Sequence, residues 1–120
     1  MKIVFSHKII KKERLSENDI KEILKNVAKG LFTLIKGENL PARSRLAKIY
    51  STTIKGAKRI VILIETISGD SFLLFYRSKK DKIGENITIK NSEFKKALEK
   101  HLVLLEEDIR NNNYLIFEVR

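Results

Sequence analysis

Six basic side chains fall within residues 43–59, at Arg43, Arg45, Lys48, Lys55, Lys58 and Arg59, and no acidic residue lies among them. The segment runs directly into the apolar stretch Ile60, Val61, Ile62, Leu63 and Ile64. A solvated basic loop has no reason to lead at once into a core strand. The strand instead holds Arg59 in a fixed position on a sheet, and a fixed group of cations points to a polyanion. Cations and tyrosines can act on RNA because the substrate's 2′-OH is its own nucleophile. The protein need only align that hydroxyl with the phosphorus, neutralise charge developing on the phosphoryl oxygens and move protons. A Tyr or Lys whose pKa is lowered by crowded positive neighbours can serve as the base. DNA lacks the 2′-OH and is excluded as a substrate of this mechanism.

Other chemistries lack their residues. The chain has no Cys and two His, so thiolate metal sites, cysteine nucleophiles and disulfides are all excluded. His7 falls in a predicted strand and His101 on a predicted helix, and each is read as structural or surface-exposed. No glycine spacing suits a nucleotide cofactor, and no metal or cofactor is expected. The net charge of +10 is unevenly spread: residues 36–90 hold twelve Lys/Arg against five Asp/Glu, whereas residues 91–120 hold five against six. That distribution implies one positive face. No apolar run approaches the ~18 residues that span a bilayer, and the amino terminus meets charge too early for a signal peptide. The expectation is a soluble cytoplasmic protein with no membrane partner.

The 120 residues suit one domain, 1–120, able to bury about two-thirds of its unfolded surface. Residues 2–10 read as a strand. Ser16, with Asp19 three residues on, opens a helix whose face is Ile20, Ile23, Leu24, Val27 and Leu31. Gly30 ends or kinks it, leaving residues 31–36 as a continuation or a second short helix. Residues 47–53 and 59–66 read as strands, Ser68-Gly69-Asp70 as a turn, and residues 72–77 as the returning strand of a hairpin. After a polar loop, Asn91 or Ser92 caps a long helix that Asn111 to Asn113 terminate, and residues 114–119 form a last strand. The predicted fold class is α+β, a small, mainly antiparallel twisted sheet with helices packed against it.

The run Lys55-Gly56-Ala57-Lys58-Arg59, the apolar strand after it, a short turn and then Phe72-Leu73-Leu74-Phe75-Tyr76-Arg77 with Lys79-Lys80-Asp81-Lys82 resemble the RelE/ParE superfamily of toxin-antitoxin toxins. Arg45-Leu46-Ala47-Lys48 resembles the basic element that precedes the glycine in that family, and Phe94 sits where the trailing helix of the RelE/HigB-like branch begins. The chain departs from the family by continuing through Tyr114 to Arg120. The resemblance implies a RelE-like fold and a metal-independent endoribonuclease that cleaves mRNA, usually on the ribosome, with a cognate antitoxin protein as partner. Carried over by position, Arg59 contacts the scissile phosphate, Tyr76 matches the strand tyrosine, and Lys79 and Lys80 are further catalytic cations. Arg43, Arg45, Lys48, Lys55, Lys58, Arg77 and Lys82 are then RNA-binding. Two other classes compete: a non-enzymatic gyrase inhibitor of the ParE type, and an RNA-binding module without activity. The cation cluster on the middle strands favours the endoribonuclease over the inhibitor. The scarcity of exposed aromatic runs for stacking disfavours the plain module.

Overall fold

In the computed structural model, which describes residues 1–119, the chain runs β1 (Lys2–Ser6), α1 (His7–Glu13), α2 (Glu17–Ala28), β2 (Thr33–Ile35), β3 (Ser44–Thr53), β4 (Gly56–Glu65), β5 (Ser71–Ser78), α3 (Ser92–Arg110) and β6 (Tyr114–Glu118). The six strands form one sheet in the order β2-β3-β4-β5-β1-β6. Among the described residues only the β1–β5 pairing is parallel. The fold class is therefore α+β with a mostly antiparallel sheet.

Helices cover both faces, which is why the central strands read as nearly continuous apolar runs rather than alternating ones. On one face Leu46, Val61, Leu63, Leu74 and Phe75 pack with Phe94, Leu98, Leu102 and Leu105 of α3. On the other, Ala47, Ile49, Ile60, Ile62, Leu73 and Tyr76 pack with Ile23 and Val27 of α2. A bulge interrupts β5: Ile62 pairs with Leu73 and Val61 with Phe75, so Leu74 is the extra residue. Leu74 and Phe75 consequently both enter the α3-side core, and every later side chain of β5 is reset by one face.

Two expectations are corrected. Residues 2–10 are not one strand, because β1 stops at Ser6 and His7 opens α1. The Ser6 hydroxyl accepts the Ile9 amide and donates to Asp108, whose carboxylate also accepts the Lys8 amide at 2.7 Å. The Ile9 amide is thus capped locally, but the Lys8 amide's partner comes from α3, a hundred residues away, where no local window contains it. Residues 31–36 are not helical either: Gly30 adopts φ 69°, and Thr33, Leu34 and Ile35 pair with Lys48, Ala47 and Leu46. The cap expected at Ser16 is a full capping box, with Asp19 accepting the Ser16 amide and Ser16 accepting that of Asp19.

Candidate functional site

Lys48 and Tyr50 are two apart on β3 and so share a face, and the hairpin register sets them opposite Val61 and Arg59 of β4. Val61 lies under α3, which places Lys48, Tyr50 and Arg59 on the same side of the sheet, beyond the part that α3 covers. The Arg59 guanidinium carbon stands 4.1 Å from the Tyr50 ring centroid, and Lys48 Nζ stands 5.3 Å from it. Lys79 joins them from the end of β5, where its amide donates to the Ala57 carbonyl at 3.0 Å. Residues 84–88 form the opposite wall. That loop is held by Asp81, which accepts the amides of Ile83 and Gly84, and by the buried side chains of Ile83 and Ile87. The cleft between them measures about 220 Å³.

Among the described residues, no Asp or Glu forms an ion pair with Lys48, Arg59 or Lys79. Arg59 instead donates to the Lys58 carbonyl at 3.1 Å. Glu85 lines the cleft without pairing. The Lys48 ammonium, and then the charge of Arg59, hold the Tyr50 hydroxyl below its ordinary pKa, because both favour the phenolate. Three convergent cations and an exposed, acidified phenol can bind a phosphodiester and accept a proton beside it.

The expected site residues divide sharply. Arg59, Lys48 and Lys79 meet at the cleft. Tyr76 does not: it pairs with Ile60, faces the other side of the sheet and is buried against α2, where burial and then Asp19 and Glu22 push its hydroxyl up. Lys58 shares that opposite face, its ammonium 5.5 Å from the Tyr76 ring centroid. Arg77 lies on the same side as Arg59 but is bound inward, donating to both Glu13 oxygens at 2.7 and 2.8 Å. Arg45 is five residues along β3 from Tyr50, roughly 17 Å away at strand rise, and pairs with Ile64. Arg43 is exposed in the left-handed region, φ 59°, and its carbonyl accepts from Thr66. Lys55 is exposed in the β3–β4 turn, and Lys80 and Lys82 are exposed in the loop after β5.

Two groups of residues were missed in the sequence. Tyr50 was legible in principle, because it follows Lys48 at strand spacing and faces Arg59 in the hairpin register. Glu13 was not: its side chain is wholly buried where α1 meets β5 and α3, accepting from Arg77, from the Tyr76 amide at 2.9 Å and approaching His101 Nε2 at 3.0 Å. His101 itself stacks on Phe75 with ring centroids 4.3 Å apart. No protein-family model, curated protein or solved structure matches the chain. Among the described residues no helix is long and apolar enough to cross a membrane, and no three His, Asp or Glu side chains gather as a metal site.

Proposed function

We propose that this chain is an endoribonuclease of the RelE/HigB type, the toxin of a toxin-antitoxin pair, acting on mRNA by 2′-OH attack. The observation that carries the reading is the convergence of Lys48, Arg59 and Lys79, none paired with an acid, around the acidified Tyr50. Unpaired cations held together on a sheet repel one another unless an anion joins them, and a phosphodiester supplies that anion. Arg59 and Lys79 stabilise charge on the phosphoryl oxygens, Lys48 lowers the Tyr50 pKa, and Tyr50 takes the 2′-OH proton as the P–O2′ bond forms and the P–O5′ bond breaks, the departing 5′-oxygen taking its proton from water. This reading moves the catalytic tyrosine from Tyr76 to Tyr50. The succession of a glycine-led strand, a turn, a Leu-Leu strand and a helix over β4, β5 and α3 supports the family resemblance. Under it the partners are a cognate antitoxin and the ribosome-bound message.

The test is to express the chain without a partner and to incubate the purified protein with RNA. Growth arrest and fragments ending in 2′,3′-cyclic phosphate are expected. Arg59→Ala relieves the arrest while remaining folded, with a rate loss of about a hundredfold or more. Fragments with 3′-hydroxyl ends, or full toxicity of a well-expressed Arg59→Ala protein, refute the reading.

A further inference from the structure

A second cleft, of about 430 Å³, adjoins the cation site and shares Lys48 and Tyr50 with it as a common wall. Its other lining comes from residues 30–33, where α2 has ended and the chain enters β2. Here the surface changes character. Leu31 is 75% exposed, Phe32 48% and Tyr50 57%, so three large side chains with apolar faces lie open beside the cations. Phe32 also lines the apolar recess beneath α2 with Val27, Ile49 and Ile62, which fixes it at the lip between two cavities.

We infer that this second cleft is a nucleobase platform, and that the base of a nucleotide whose phosphate sits at Lys48 and Arg59 rests on Phe32 and Tyr50. The inference depends on the nucleic-acid reading of the cation cleft and adds where the base goes. A phosphate and the base of its own or a neighbouring nucleotide must be bound by contiguous surfaces, one cationic and one flat and apolar. Lys48 and Tyr50 belong to both clefts and supply that continuity. Stacking on a ring tolerates any base, so the platform binds strands without fixing their sequence. An exposed Phe and Leu at the rim of a site that bound only an anion would have no such use.

Two uncleavable probes separate the terms: a 2′-deoxy octanucleotide, and an octamer of the same backbone whose sugars carry no bases. The wild-type chain is expected to bind the base-bearing octamer about tenfold more tightly than the abasic one. Phe32→Ala narrows that difference while leaving abasic affinity unchanged, and Phe32→Tyr restores it. Equal wild-type affinity for the two octamers, or equal weakening of both by Phe32→Ala, overturns the platform and leaves the cation site standing. Binding of neither octamer overturns the nucleic-acid reading and the platform with it.

Discussion

Arg59 and Lys48 sit beside the Tyr50 ring, neither in an ion pair among the described residues, and Lys48 first and then Arg59 lower the pKa of its hydroxyl. A base of this kind works above its own pKa, and lowering that pKa extends activity towards neutrality. RNA cleavage by the wild-type chain should rise with pH along a limb set by Tyr50 and level off below the pH of free phenol ionisation. Tyr50→Phe should cost about a hundredfold in rate and abolish that limb, measured as a pH–rate profile under single-turnover conditions; an unchanged profile removes Tyr50 from the mechanism. The buried carboxylate of Glu13 illustrates the opposite use of charge. Burial alone pushes it up, but His101, Arg77 and the Tyr76 amide outweigh that and hold it below its ordinary 4.5. A carboxylate lowered in the folded state contributes stability that is complete above its unfolded value and is lost as pH falls through the folded one. Glu13→Gln should therefore destabilise the chain by about 3 kcal/mol at pH 7, because Arg77 keeps its charge and loses its partner. The deficit should shrink in urea titrations repeated below pH 4.5.

The loop between β5 and α3 makes the cleft an enclosure rather than a bare strand surface. Gly84 is its tightest point: a Cβ there would lie 2.1 Å from the Ser78 carbonyl oxygen, a backbone atom that cannot swing away. Gly84→Ala should displace the loop wall, destabilise the chain by about 1–3 kcal/mol and weaken RNA binding more than a core change at least as destabilising, such as Leu98→Ala. Thermal melts and binding isotherms on both variants decide this. The same loop marks the limit of what sequence reveals. Strands β3 to β5, helix α2 with its capping box, and α3 were legible because period and caps are local signals. The face that each β5 residue takes was not. The bulge at Leu74 lets both Leu74 and Phe75 point at α3, and it leaves Tyr76 buried on the opposite face from Arg59. Simple alternation cannot register an inserted residue, so the tyrosine nearest Arg59 in motif terms proved remote from it in space. Arg77 was misread for a related reason: its partner Glu13 is 64 positions away and reaches it only after α1 has docked.

Taken whole, the molecule carries +10, and only part of that charge lines the cleft beside Tyr50. Arg43, Arg45 and Lys58 lie away from the cleft, Arg77 is committed to Glu13, and Lys11 and Lys12, exposed on α1, line a separate recess with Lys8 and Arg14. A diffuse positive surface and a built site predict different responses to salt. Each phosphate neutralised on a single strand contributes about −0.7 to the slope of log affinity against log salt. Three cleft cations therefore give a slope of about −2, and recruitment of the whole basic surface gives one several times steeper. Binding of an uncleavable oligonucleotide, measured from about 0.05 to 0.5 M salt, where screening lengths differ several-fold, should follow the shallow slope. Lys48→Met should reduce its magnitude by about 0.7, whereas the double change Lys11→Gln and Lys12→Gln should leave it unaltered. A steep slope that both variants reduce alike would mean that the chain attracts RNA through its overall charge and that the cleft holds no phosphate of its own.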